Sequence, residues 1–138
     1  MVTTKREFSR KFGYTRTLGD LDGMAAGGVK LNNTLMAGMG TKGDWFVQLH
    51  KHTILIRVAH ADGVDTLLVS LCGWPTSTTR DRLNRFLPDG VGVYQRNNRQ
   101  YLYYPGLNGD RYEMEAGSSN VIRMESRDHG QTWTVPDA

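Results

Sequence analysis

The chain has 138 residues, of which 38% are apolar, and a formal net charge of +3. This length suits one domain with a single core, and no stretch approaches the roughly 20 apolar residues that a membrane helix needs. The first seven residues lack the apolar centre of a secretory signal, and the single cysteine, Cys72, excludes an internal disulfide and a cysteine-based zinc cluster. These features favour a reducing cytoplasm and argue against a membrane location.

The positive charge is concentrated at the N-terminus. Residues 1–16 contain five basic residues and one acidic residue, a net charge of +4, whereas the remainder contains 12 basic and 13 acidic residues, a net charge of −1. A basic arm can hold phosphate groups or an acidic protein surface, and aromatic rings among its charges can stack on bases or anchor on a partner. A flexible, solvated tail is the alternative. The residues of this arm predicted to contact a partner are Lys5, Arg6, Phe8, Arg10, Lys11, Phe12 and Arg16.

The middle of the chain changes from a glycine-rich segment to regular strands. We expect loops and short elements over residues 17–44, because ordering glycine costs conformational entropy. From Trp45 onward, β-branched and aromatic residues predict strands at 45–50, 52–58 and 65–71.

One helix is predicted at about 77–87. Thr78 and Asp81 have the spacing of a capping box, Leu83 and Phe86 lie at helical spacing so that they face the sheet, and a proline follows the helix. The helix therefore packs one face on the preceding strands.

A run of hairpins follows the helix. Strands at 91–96 and 99–104 flank Asn97-Asn98, which favours a two-residue turn because asparagine tolerates positive φ. Later strands are predicted at 111–115, 120–124 and 131–135. The elements together predict an α+β fold, in which an antiparallel β-meander packed on one short helix occupies residues 45–138.

The hairpin of strands 91–96 and 99–104 carries a candidate binding surface. Tyr101 and Tyr103 share one strand face, and Arg96 and Arg99 lie close in sequence. A sheet face with aromatic rings and arginines can stack bases, and exposed tyrosines also anchor protein interfaces. A half-buried face that covers the core is the alternative.

No metal or cofactor site is predicted. His50 and His52 point to one side if their strand is continuous, but no ligand spacing supports a metal. No base is paired with Cys72 in the sequence, so a buried structural cysteine is favoured over a catalytic thiol. The glycine pairs are not followed by Gly-Lys-Ser/Thr, so no phosphate-binding loop is indicated.

Residues 126–133, Ser-Arg-Asp-His-Gly-Gln-Thr-Trp, resemble the Asp-box hairpin, Ser/Thr-x-Asp-x-Gly-x-Thr-Trp/Phe. The resemblance implies a structural turn, in which the Asp128 side chain accepts backbone N–H groups and Trp133 plugs the hairpin.

The same segment is also similar to the C-terminal hairpin of small microbial guanyl-specific ribonucleases, Thr-x-Asp-His-x-x-Thr-Phe. That resemblance implies His129 as general acid, Glu113 or Glu115 as base and Arg123 as a phosphate-holding residue. It covers about eight residues, and the rest of the chain does not follow the order of that family. Cross-strand charge pairs are the alternative for the two glutamates and the arginine.

Residues 72–86 resemble a group of short tailed-phage proteins with no assigned function, which carry Gly-Gly-Trp-x-Thr-x-Thr-Thr-Lys/Arg-x-Arg-x-Asn. Cys72 replaces the first glycine of that pattern, and Pro75 stands where a polar residue is common. The resemblance extends over residues 32–103 or so, and it implies a phage origin, expression inside an infected bacterium and a β-rich fold.

Most residues of this segment are expected to have structural roles. Trp74 is expected to close the preceding strand, and the Thr/Ser run to cap the helix. The side chains expected to project toward a partner are Arg80, Arg82, Asn84 and Arg85, and a solvated helix face is the alternative for them.

These observations predict a small phage accessory protein in the cytoplasm of the infected bacterium. It would bind a host protein or nucleoprotein machine, as an inhibitor of host defence or nucleic-acid processing, with nucleic-acid contact through the arm. A small ribonuclease and a virion or assembly component are the alternatives, and the sequence leaves the oligomeric state open.

Overall fold

A computed structural model describes residues 16–40, 43–107, 112–117 and 120–136, without the side chains of residues 60 and 61. These residues form two helices and nine strands, which gives the α+β class that the sequence predicts. In chain order the elements are α1 (Leu18–Gly27), β1 (Val29–Leu31), β2 (Thr34–Met39), β3 (Asp44–Leu49), β4 (His52–Ala61), β5 (Val64–Val69), α2 (Ser77–Phe86), β6 (Gly92–Arg96), β7 (Arg99–Tyr103), β8 (Tyr112–Met114) and β9 (Ile122–Ser126).

The glycine-rich segment contains a helix that the sequence analysis did not predict. Thr17 caps α1 by a complete capping box, because its hydroxyl accepts from the Asp20 N–H at 3.1 Å and its own N–H donates to the Asp20 carboxylate at 2.9 Å. Leu18, Leu21 and Met24 recur every three residues and are buried. The expected loops are therefore replaced by a capped amphipathic helix and two strands.

Polar contacts fix α1 on the large sheet. The Asp22 carboxylate accepts a hydrogen bond from the Trp45 indole N–H at 2.6 Å and lies 3.3 Å from the Arg57 guanidinium. Arg57 also pairs with Asp65 at 2.8 Å, and both of these side chains are buried. A buried charge needs such partners, so this pairing ties α1 to β4 and β5.

The large sheet has six antiparallel strands in the order β1-β2-β3-β4-β5-β9. The predicted strands at 45–50, 52–58 and 65–71 correspond to its three central strands. A turn with positive φ at His50 and Lys51 separates β3 from β4, so the strand that would carry both His50 and His52 is interrupted.

The small sheet has three antiparallel strands in the order β6-β7-β8. Asn97 and Asn98 form the predicted turn, with φ of 52° and 63°. The hairpins therefore divide between two sheets instead of forming one meander on one helix. The strand predicted at 131–135 is reduced to a single bridge between Glu125 and Thr134.

Helix α2 has the predicted extent but a different cap. The Thr76 hydroxyl, and not that of Thr78, accepts from a backbone N–H of the first turn, that of Thr79 at 3.2 Å. Asp81 binds the guanidinium groups of Arg82 and Arg85 instead of closing a capping box.

Helix α2 is bonded to both sheets. Arg82 is 3% exposed and donates to the Thr34 hydroxyl of β2 at 2.7 Å. The Asn84 amide donates to the Val93 carbonyl of β6 at 2.9 Å and accepts from its N–H at 2.8 Å. One turn of helix thus positions the small sheet against the large one.

We predict that Asn84→Ala lowers the free energy of unfolding by about 1–3 kcal/mol, because the N–H and carbonyl of Val93 lose their partner. Urea unfolding followed by circular dichroism measures this loss. Gln131→Ala, at an exposed turn position, is the control and should change the free energy by less than about 0.5 kcal/mol. An Asn84→Ala loss as small as the control would contradict the bridging role.

Candidate functional site

The outer face of the small sheet carries a cluster of tyrosines and arginines. Tyr94 lies opposite Tyr101, and Arg96 lies opposite Arg99, in the register of β6 and β7. Because directly opposed residues share a sheet face, these side chains project on one side, together with Tyr103. We call Tyr94, Arg96, Arg99, Tyr101 and Tyr103 the tyrosine–arginine face.

The three rings of this face contact one another. The Tyr94 and Tyr101 rings are stacked, with centroids 5.3 Å apart, and the Tyr103 ring lies 6.0 Å from that of Tyr94. Tyr101 is buried, whereas Tyr103 is 44% exposed. A Cβ at Gly92 would lie 2.2 Å from the Tyr103 hydroxyl oxygen, so glycine lets this ring lie across β6. The buried Tyr101 ring and Gly92 therefore support the cluster on the sheet, and the Tyr103 ring remains accessible to a ligand.

The two arginines of this face are a like-charged pair. Arg96 and Arg99 are directly opposed and exposed at the hairpin end, an arrangement that destabilises a sheet. Arg99 also lies 3.8 Å from Glu113, but these side chains are 65% and 50% exposed, so the pair contributes little. Glu113 is opposite Tyr101 and therefore lies on the same side of the sheet, so two arginines and one glutamate leave this face a net charge of +1.

A second surface feature lies between the N-terminus of α2 and the large sheet. It is a cavity of about 360 Å³, lined by Leu49, His50, His52, Ile54, Leu71, Cys72, Trp74, Thr76, Thr78 and Thr79. We call it the Trp74 pocket. The turn between β3 and β4 places His50 and His52 on the same cavity although their strand is interrupted.

Trp74 does not close the preceding strand as predicted, because it is 57% exposed at the pocket. Cys72 and Gly73 form the turn before it with φ of 52° and 85°. The Cys72 thiol donates to the Thr53 carbonyl at 2.9 Å, which helps to hold the turn. No sequence pattern predicted this placement, since the positive φ at the non-glycine residue Cys72 is not visible in the sequence.

Comparison with known proteins gives one family. A family model described as Kyanoviridae Gp96 protein matches residues 25–122, which are 98 of the 138 residues. The chain belongs to this family. No curated protein and no solved structure matches it with statistical significance. The prediction of a tailed-phage protein of unassigned function is confirmed.

The region shared with the Gp96 family contains both surface features. Residues 25–122 include every residue of the tyrosine–arginine face and every residue that lines the Trp74 pocket. The region ends at the start of β9, so the 126–133 hairpin lies beyond it.

The predicted partner-binding residues have different outcomes. Lys5, Arg6, Phe8, Arg10, Lys11 and Phe12 lie outside the described residues. Arg16 is buried, its carbonyl accepts from the Asp89 N–H at 2.8 Å, and burial together with the charge of Arg85 lowers the pKa of its guanidinium. The structure thus corrects the prediction that Arg16 is a partner-binding residue of the basic arm, because its side chain is buried.

The helix residues expected to project are mostly engaged within the fold. The prediction is wrong for Arg82, which is buried, and Asn84 is bound to the Val93 backbone. Arg80 donates to the Gln100 side chain at 2.8 Å, and Arg85 lies 3.0 Å from the Asp81 carboxylate. The arginines of α2 therefore serve the fold. Among the described arginines predicted to bind a partner, Arg96 and Arg99 are exposed.

The residues of the ribonuclease hypothesis lie on two sheets. Glu113 is on β8 and Glu115 follows that strand, whereas Arg123 is on β9, 3.9 Å from Glu125. His129 lies in the turn after β9, and its ring is 3.9 Å from the buried Asp65 carboxylate. The carboxylate that the structure places near His129 is thus that of Asp65, and not that of Glu113 or Glu115, the predicted bases.

The 126–133 hairpin is a closely bonded turn. The Asp128 carboxylate accepts from the N–H groups of Gln131 and Thr132 at 3.1 and 2.8 Å and from the Thr132 hydroxyl at 2.5 Å. Trp133 is buried, and its indole N–H donates to the Gly130 carbonyl at 3.2 Å. The hydrogen bonds, first those of Thr132, lower the pKa of Asp128 from 3.8 to about 2.

In residues 16–40, 43–107, 112–117 and 120–136, no three His, Cys, Asp or Glu residues group to hold a metal ion. In the same ranges no helix is long and apolar enough to cross a membrane.

We predict that Asp128→Asn removes a pH-dependent part of the stability. Because the folded-state pKa of Asp128 lies below its ordinary value of 3.8, this carboxylate stabilises the fold above about pH 4 and loses that effect as the pH falls to about 2. The difference in urea midpoint between wild type and variant should shrink over that interval. A difference that stays constant from pH 5 to pH 2 would contradict the assignment.

Proposed function

We propose that this phage protein acts in the infected host by binding single-stranded nucleic acid on its tyrosine–arginine face. The observation that carries the proposal is the pairing of an open tyrosine ring with two opposed, exposed arginines on one sheet face. The partner would be a host nucleoprotein machine. The protein would inhibit this machine by occupying the single-stranded nucleic acid on which it acts.

Base stacking on Tyr103 is the first part of the proposed contact. Its ring is exposed and supported by Gly92 and Tyr94, so stacking costs little additional ordering. Base–aromatic stacking contributes about 1–3 kcal/mol per base and does not depend on sequence.

Phosphate binding by Arg96 and Arg99 is the second part. Two guanidinium groups held opposite one another repel in the free protein, and a phosphate between them would relieve that repulsion. The basic residues among positions 1–15, four against one acidic residue, would add long-range attraction.

The alternative functions lack a comparable observation. The ribonuclease hypothesis needs Glu113 or Glu115 near His129. His129 follows β9 of the large sheet, whereas Glu113 lies on β8 of the small sheet and Glu115 follows that strand. A virion or assembly component would use the same face against protein, so a protein-only partner is an outcome of the experiment below.

We predict that fluorescence anisotropy with labelled single-stranded RNA and DNA oligonucleotides gives salt-dependent binding. Tyr103→Leu should weaken it by about 1–3 kcal/mol, while Tyr103→Phe should retain it, because the ring stacks without the hydroxyl. Arg96→Gln should weaken binding to all sequences and reduce the slope of log K against log salt by about 1.

Arg123→Gln is the matched control, because Arg123 is 59% exposed but lies on the large sheet. It should leave the affinity unchanged, and Arg96→Gln should not lower the free energy of unfolding, since it removes a like-charge contact. Absence of oligonucleotide binding, or equal losses in the Arg96 and Arg123 variants, would reject the proposal. Salt-independent capture of a protein by the same face would favour the assembly alternative.

A further inference from the structure

We propose that the Trp74 pocket binds a single nucleotide, with the base against Trp74 and the phosphate at the start of α2. The ligand is a base with an attached phosphate, from a free mononucleotide or from one unit of a longer strand. This site does not depend on the proposed function of the tyrosine–arginine face.

The shape and floor of the pocket favour a flat ring. Its volume of about 360 Å³ is at the lower end of the range for small-ligand sites. The buried side chains of Leu49, Ile54 and Leu71 form an aliphatic floor. Such a floor accepts the face or edge of one ring system and has no room for a folded partner.

The aromatic and polar groups at the rim of the pocket favour a nucleobase as the ligand over an aromatic ring without polar atoms. The exposed Trp74 indole offers a stacking surface. The His50 Nε2 contacts the Asn33 amide at 3.1 Å, and the Thr76 hydroxyl caps α2. Further polar groups at the rim are the His52 ring nitrogens and the Thr78 hydroxyl. These groups can pair with the donors and acceptors on a base edge, which a plain aromatic ring lacks.

The charge around the pocket favours an anion. None of the described lining residues is acidic, and Lys51 lies in the turn between the two lining histidines. The N-terminus of the ten-residue helix α2 adds partial positive charge beside Thr76 and Thr78. Asp81, which shares a neighbouring hollow with Thr78, is paired with two arginines of the helix. A cationic ligand would find no counter-charge here.

The turn that presents Trp74 supports a binding role. Cys72 adopts a left-handed φ of 52°, a conformation that costs energy in a non-glycine residue. The result is a large apolar ring turned toward solvent, from which the fold gains little burial. A ring that stacks on Trp74 would recover that burial.

The test is isothermal titration calorimetry of the full chain with adenosine and uridine 5′-monophosphates, the corresponding nucleosides, inorganic phosphate and indole-3-acetate. The monophosphates should bind, with the nucleosides about tenfold weaker because they lack the anion. Trp74→Leu should weaken monophosphate binding about tenfold or more. Because Trp74 is exposed, this variant should keep the wild-type unfolding midpoint.

Controls separate this pocket from the tyrosine–arginine face. Tyr103→Leu should leave mononucleotide binding unchanged, and His52→Gln should weaken it. Trp45 and Trp133 are buried, so quenching of the exposed tryptophan by an oligonucleotide, when mononucleotides give no heat, would assign the site to a unit of a strand. The proposal is overturned if neither probe acts at Trp74, if Trp74→Leu binds as tightly as wild type, or if indole-3-acetate binds more tightly than the monophosphates.

Discussion

A pair of hydrogen bonds between the Asn84 amide and the backbone of Val93 joins α2 to the small sheet. Arg82, two residues earlier, makes the corresponding contact with Thr34 in the large sheet. Since these two side chains lie within one turn of α2, the helix bridges two sheets that also share one hydrophobic core. The buried Arg82 guanidinium needs its Thr34 partner, and the part-buried bonds of Asn84 fix the position of β6 beside the helix.

Both candidate sites follow from this arrangement. The Trp74 pocket lies where α2 begins against the large sheet, and the tyrosine–arginine face is the outer side of the small sheet that α2 supports. The Arg80 guanidinium connects the two regions, because it donates to the Pro75 carbonyl at 3.2 Å and to the Gln100 side chain at 2.8 Å. Membership of the Gp96 family covers both sites but assigns chemistry to neither.

The sequence predicts β3 to β7 and α2 well, because their patterns are local. Asn97-Asn98 specifies the β6–β7 turn, and with it the register that places Tyr94 opposite Tyr101. Tyr101 and Tyr103 share a face because they are two residues apart on one strand. Helix α1 was missed because its glycines obscured the capping box of Thr17 and Asp20. The division into two sheets and the burial of Arg82 depend on contacts distant in sequence, and a local pattern does not contain them. Trp74 was expected to close the preceding strand, because the positive φ values of Cys72 and Gly73 leave no trace in composition or spacing.

The central claim, that the tyrosine–arginine face holds a nucleic-acid strand, is tested most directly by ultraviolet cross-linking of a uridine-rich oligonucleotide to the full chain, followed by mass spectrometry of the linked peptides. The account predicts that cross-links concentrate on the peptide that contains Tyr101 and Tyr103. Cross-links confined to the large sheet, or a protein that remains unlinked at saturating oligonucleotide, would contradict it.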